Sequence, residues 1–175
     1  MDLSGVHKLD GVDIRRRDRR GSATDRAAVA ELRPTDKIDP NLHNAWVDLA
    51  NNASEANIFH EPWFLEPGLK HFCTDPDQHL FLLWAGEPSH SQLLGLLPIG
   101  PTNKFGRWPV PHVQNWMHHN SFLGTPLVRT GIEEKFWEAL LAILDDGNWP
   151  GFLHINGLTI GGVLDTALRK TCVEQ

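Results

Sequence analysis

Tyrosine is absent from this sequence, cysteine and methionine occur twice each, and no apolar run approaches the length of a membrane span. Two thiols, Cys73 and Cys172, stand too far apart and are too few for a disulfide framework. No CxxC pair is present, which removes the usual zinc and dithiol chemistries. Wholly apolar stretches such as Leu80–Ala85 fall well short of the roughly 18 residues that a span requires. The opening residues Met-Asp-Leu-Ser-Gly lack the apolar centre of a secretory signal, so the sequence reads as a soluble, cytoplasmic chain. Catalytic signatures are missing as well. There is no GxGxxG, no GxxxxGK[ST] and no GxSxG, and His60-Glu61 lacks the second histidine of a zincin helix.

What remains is the composition of one folded body with a tail. The 175 residues are 41% apolar and 22% charged, with seven tryptophans and eight phenylalanines. That size and balance allow a substantial core. Charge is distributed unevenly: residues 1–33 carry a net +2, whereas residues 34–175 carry a net −8. Five arginines fall within Arg15–Arg20. Residues 1–34 are expected to form a flexible, disordered Arg-rich basic tail, with the folded domain spanning 35–175. The overall charge of −6 argues against a general nucleic-acid binder.

Within the domain the pattern predicts a mixed α/β layer fold. Asp39 can cap a helix that starts at Pro40, and Leu42, Trp46, Leu49, Ala50 and Ala53 form its apolar stripe. Glu61-Pro62-Trp63 opens a short helix interrupted at Pro67-Gly68. The runs His79–Ala85 and Gln92–Ile99 read as a buried antiparallel hairpin. Residues 100–125 form a long irregular connection with one short strand near Val110–Trp116. Thr130 and Glu133 have the spacing of a capping box for a helix whose buried face includes Phe136, Trp137, Leu140 and Leu144. Phe152–Leu158 is a third strand, and Thr159 opens a last helix with Val163, Leu164, Ala167 and Leu168 on one face. Trp46 and Trp137 are read as core anchors on facing helices.

The chemistry-bearing residues gather in the long connection. His112, His118, His119 and His154 could meet, but side chains of neighbouring residues on a strand diverge, so no metal site is expected. Ser121 beside His118 has no orienting acid and makes a poor nucleophile. The polar aromatic stretch Asn115, Trp116, His118, His119 and Asn120 is the candidate binding region. It is either a pocket lining or a surface loop packed by Trp116.

Asn57-Ile58-Phe59-His60-Glu61-Pro62-Trp63-Phe64, Leu94-Gly95-Leu96-Leu97-Pro98-Ile99, and Trp116 followed by Thr125-Pro126-Leu127-Val128 together resemble the CelD/BcsL-type GNAT acyltransferases. These FemAB-like proteins are associated with cellulose and exopolysaccharide biosynthesis. The resemblance covers about Leu42 to Leu158 and implies a GNAT-like mixed sheet of short strands flanked by helices. It implies acyl transfer from acyl-CoA, the family's co-substrate, to an amine or hydroxyl of a small-molecule or glycan-related acceptor. In that family the acyl-CoA cleft lies C-terminal to the matching region. The [QR]xxGx[GA] loop that would meet a CoA pyrophosphate with backbone N–H groups is absent here. Thr159-Ile160-Gly161-Gly162 only imitates it. The chain is therefore expected to be an N-terminal half that binds no cofactor alone and associates with a second GNAT-like half or with its own copy. Asn115, Trp116, His118, His119 and Asn120 would line the acceptor site between halves.

Overall fold

The computed structural model describes residues 28–86, 92–147 and 149–174. The Arg15–Arg20 cluster and the remainder of residues 1–27 lie outside the described residues. Strand β1 spans Ala28–Pro34, helix α1 Pro40–Asn51, and a 3-10 turn covers Ile58–His60. Helix α2 is Pro62–Phe72, followed by β2, His79–Ala85, and β3, Leu93–Thr102. Strands β4, His112–Asn115, and β5, Leu127–Val128, precede helix α3, Glu133–Asp146. Strand β6, Leu153–His154, and helix α4, Val163–Glu174, complete the described chain.

These strands form one mixed sheet in the order β1-β2-β3-β4-β6, with β5 also paired to β3. All pairings are antiparallel except β4 with β6, which α3 connects in parallel. Because successive strand residues face opposite sides, β2 feeds two cores at once. Phe81 and Leu83 pack with Phe136, Trp137, Leu140 and Leu164 of α3 and α4. Leu80, Leu82 and Trp84 pack with Leu42, Trp46 and Leu49 of α1 and Leu65 and Leu69 of α2. The expected mixed sheet flanked by helices is thus a three-layer arrangement, with a helix pair on each face.

A β-bulge adjusts this alternation. Leu83 opposes Gly95 and Trp84 opposes Leu93, so Leu94 is the extra residue. Leu94 therefore reaches the α3 face, as do Leu97 and Ile99 further along β3. Gly95 has no side chain where the Phe136 ring approaches the strand, and a Cβ there would enter that ring.

Several expectations require correction. Residues 28–34 are not tail: β1 pairs along its whole length with β2, from Ala28 opposite Ala85 to Pro34 opposite His79. Its mixed sequence conceals a strand because its order comes from the partner. Helix α2 continues through Pro67, at whose position the chain forgoes one helical hydrogen bond on the exposed side, between buried Leu65 and Leu69. The capping box does not form. Thr130 donates to the Asn52 carbonyl, and the Glu133 carboxylate accepts from Gly131 N–H instead. The third strand shortens to two residues, and α4 begins at Val163 rather than Thr159. Trp46 and Trp137 are both fully buried, but they lie in separate cores on opposite faces of the sheet, not on facing helices. The start of α1 is as expected, with Asp39 accepting the Leu42 N–H at 2.8 Å and Pro40 in the first turn. The helix ends at Asn51, however, and Ala53, expected on its stripe, instead bridges to Arg129.

Candidate binding surface

After β4 the backbone leaves the sheet at a buried polar tie. The Asn115 side chain donates to the Gly124 and Asn156 carbonyls at 3.1 and 3.0 Å, and its Oδ1 accepts the Asn156 N–H at 2.7 Å. Asn57, also buried, caps the 3-10 turn through Phe59 N–H and donates to the Thr125 carbonyl at 2.7 Å. Thr125 Oγ1 in turn accepts the Thr159 N–H. Three segments distant in sequence are thereby held together by side chains that satisfy otherwise unpaired peptide groups. His60 belongs to this wall. It is 2% exposed, and burial pushes its imidazole down to about 4 despite an opposing contact with the Thr125 backbone. It is a neutral core histidine at physiological pH, and its Nδ1 makes no hydrogen bond.

Outside this wall lies a continuous run of rings. Phe122 packs edge-on against Phe59 with centroids 5.8 Å apart, and Phe59 against Phe64 at 5.2 Å. Phe64 meets both Trp63 and His118 at 5.7 Å, and His118 meets Phe72 at 4.8 Å. Edge-to-face geometry is favourable for aromatic pairs, so the rings hold one another in place. Trp63, Phe72 and Phe122 nonetheless remain 64%, 59% and 80% exposed, with Ile58 beside them at 52%. Grouped exposure of this kind marks an interaction surface more than scattered single residues do. Helix α2 supplies Trp63, Phe64 and Phe72, the 3-10 turn supplies Ile58 and Phe59, and the turn after β4 supplies His118 and Phe122. Glu61 accepts the Trp63 indole N–H at 2.8 Å and orients that ring at the rim.

The five residues singled out from the sequence fall into three places. Asn115 is buried, and its side chain is engaged in the tie to Gly124 and Asn156. Trp116 is partly buried against Gly68 of α2 and the second core, while its backbone N–H donates to the Pro98 carbonyl. His118 is half-buried among the rings and accepts the Asn120 N–H on Nδ1, whereas His119 and Asn120 are exposed. The surface residues contributed by α2 and the 3-10 turn were missed, because Trp63 and Phe64 read locally as an ordinary helix start.

The positions that could receive an anion are already furnished with acids. Glu55 Oε1 accepts the Leu164 N–H at the start of α4, and Asp165 accepts the Gly161 N–H, both at 2.8 Å. Asp165 is held below the usual carboxylate range first by that Gly161 N–H and then by Arg169. The shallow depression between the N-terminal turns of α3 and α4, about 320 Å³, is lined by Glu133, Glu134, Gly161, Gly162, Thr166 and Lys170, with Lys170 paired to Glu134. Among the described residues no three His, Cys, Asp or Glu side chains converge as metal ligands, and no helix is long and apolar enough to cross a membrane. Cys73 is partly buried, which raises its thiol, and Cys172 is exposed; both are free.

Comparison with family models, with curated proteins and with solved structures gives no match to this chain.

Proposed function

We propose that this chain is a binding module, a GNAT-like half without acyl-transfer activity of its own, that engages a complementary half through its aromatic surface. The observation that carries the reading is the ring run from Phe122 to Phe72, ordered by its own edge-to-face contacts yet widely exposed. Burying such rings against a partner removes apolar area from water with little further loss of side-chain freedom. The mixed sheet flanked by helices agrees with the architecture that the resemblance to CelD/BcsL-type acyltransferases implies.

Acyl-CoA belongs to the partner half in this reading. A pyrophosphate at the start of α4 would meet the Glu55 and Asp165 carboxylates, and one at the start of α3 would meet Glu133 and Glu134. Like charge at both places opposes the anion that helix N-termini otherwise attract. The acceptor, a small molecule or a glycan-related hydroxyl or amine by resemblance, would be met at the junction of the two halves. His119 and Asn120 lie at the rim of the rings there.

Titration of this chain with the C-terminal half of a CelD/BcsL-type acyltransferase tests the proposal. Replacing Trp63 and Phe122 together by Ser is expected to weaken binding at least about tenfold while leaving the melting temperature unchanged, since both rings are mostly exposed. Equal affinity of the double variant would reject the surface. Thiol release from acetyl-CoA by the chain alone, in the presence of an amine, would reject the non-catalytic reading.

A further inference from the structure

Strands β4 and β6 run parallel, with Val113 beside Leu153 and Gln114 beside His154. His112 lies two residues before Gln114 on the same face, which makes it a diagonal neighbour of His154. Their ring centroids are 5.7 Å apart. Of the four histidines that the sequence could bring together, these two do meet, whereas His118 and His119 lie at the rings of α2. Between β3 and β4 the chain turns back on itself, and Phe105 and Trp108 exchange backbone hydrogen bonds at 3.0 Å. That turn lays Phe105 against both imidazoles, at 5.5 Å from His112 and 5.0 Å from His154. Phe152 closes on His112 at 5.6 Å.

His112 is fully buried, and its Nδ1 lies 2.9 Å from the Val110 carbonyl. A carbonyl only accepts, so the proton sits on Nδ1 and the lone pair of the neutral ring on Nε2. That Nε2 is buried without a hydrogen-bond partner, and so is Nδ1 of His154. Two unpartnered nitrogens on neighbouring rings, enclosed by Phe105 and Phe152, call for one shared partner. A carbonyl that fixes one ring nitrogen and leaves the other to a ligand is how proteins orient metal-binding histidines. Imidazoles that share an ion, at about 2 Å from each nitrogen, stand roughly 5–6 Å apart by their centroids, which is the separation of this pair.

We infer that His112 and His154 form a two-coordinate site for a monovalent copper ion, Cu(I). Ligand count and charge select the ion. Among the described residues no third His, Cys, Asp or Glu converges with the pair, so the tetrahedral set that zinc takes is not supplied. No Asp or Glu occurs from Phe105 to Val128 or from Gly147 to Leu164, the segments that build the site, and Lys104 and Arg107 lie on its hairpin. The cost of burying an ion rises with the square of its charge, and these segments hold no carboxylate to offset a divalent one. Cu(I) carries a single charge, and its filled d shell accepts two imidazole nitrogens as a complete set. His154 is half-buried, which gives the ion a way in. Burial first, and His112 second, hold its imidazole below the usual range, so it is neutral and able to ligate at physiological pH. The site shares no residue with the ring surface of α2, and the two readings fail independently.

Anaerobic titration of the full chain with Cu(I), in competition with the chelator bicinchoninate, tests the inference. Thiolates also bind Cu(I) and both cysteines are free, so the titration is made with Cys73→Ser and Cys172→Ser in place. One Cu(I) per chain is expected to bind, with 15N NMR shifts at His112 Nε2 and His154 Nδ1. His154→Phe keeps the bulk of the ring at a half-buried position. It is expected to weaken binding at least about tenfold, with circular dichroism confirming that the fold persists. His112→Phe is expected to do the same, and should it unfold the chain, His154→Phe decides alone. Absence of Cu(I) binding, which would leave the two nitrogens to water, or equal affinity of His154→Phe, overturns the inference. Shifts at His118 and His119 in place of His112 and His154 would overturn it too, by moving the ion to the ring surface.

Discussion

Glu55 and Leu164 are 109 positions apart, yet the Glu55 carboxylate accepts the Leu164 N–H at 2.8 Å and caps α4 from outside the helix. Gly162 makes this approach possible, because a Cβ at that position would collide with the same carboxylate. The contact ties the segment after α1, on one face of the sheet, to a helix on the other. It also sets a negative charge where a helix dipole favours one.

Replacing Glu55 by Ala should therefore act as the loss of an N-cap, lowering unfolding free energy by about 1–2 kcal/mol. Glu55→Gln should cost less, since an amide oxygen can still accept the bond. Urea denaturation of the three chains would show the order, and equal stability of the wild type and Glu55→Ala would remove the capping role.

His60 links stability to pH. Burial lowers its folded-state value from 6.5 to about 4, so between those limits the unfolded chain binds the proton that the folded chain refuses. Stability is then complete above the unfolded value and is lost as pH falls toward 4, by roughly 3 kcal/mol for the full interval. His154 is also lowered, by burial first and by His112 second, and contributes with the same sign. Unfolding curves from pH 7 to 4 should be shallower in pH dependence for His60→Leu than for the wild type. An unchanged slope in that variant would assign the acid sensitivity elsewhere.

Truncation separates tail from sheet. Removing residues 1–34 deletes β1 and uncovers the β2 edge from His79 to Ala85, together with Ala30 and Leu32, which pack on the first core. A fall in melting temperature of several degrees or more, or failure to fold, is expected relative to a chain that retains Ala28 onward. Identical melting of the two truncated chains would show that β1 contributes nothing.

Tryptophan substitutions should sort by burial and not by helix. Trp46 donates its indole N–H to the His60 carbonyl at 2.8 Å, and Trp137 donates to the Leu164 carbonyl at 3.0 Å, both from fully buried rings. Trp→Ala at either position should cost about 3–5 kcal/mol. Trp63→Ala, at a mostly exposed ring, should be close to neutral by thermal denaturation. A comparable loss at all three would contradict the assignment of Trp63 to a binding surface.

Elements that close on themselves were legible in the residues. Helix α1 has its cap at Asp39, its proline at the first position and its stripe at Leu42, Trp46 and Leu49, all within a dozen neighbours. The apolar runs of β2 and β3 announced strands buried on both faces, because neither shows a polar side. Local chemistry sufficed for these. It could not show that Glu31 and Arg33 lie in a strand, since their order is borrowed from β2 across some fifty residues. Nor could it assign Asn115 to a buried tie, because its partners are the backbones of Gly124 and Asn156. Propensity, capping and periodicity act over a few residues, and they determined where the helices and central strands form. The joining of Phe59, Phe64, His118 and Phe72 into one surface depends on three segments meeting outside the sheet, and only tertiary packing brings them there.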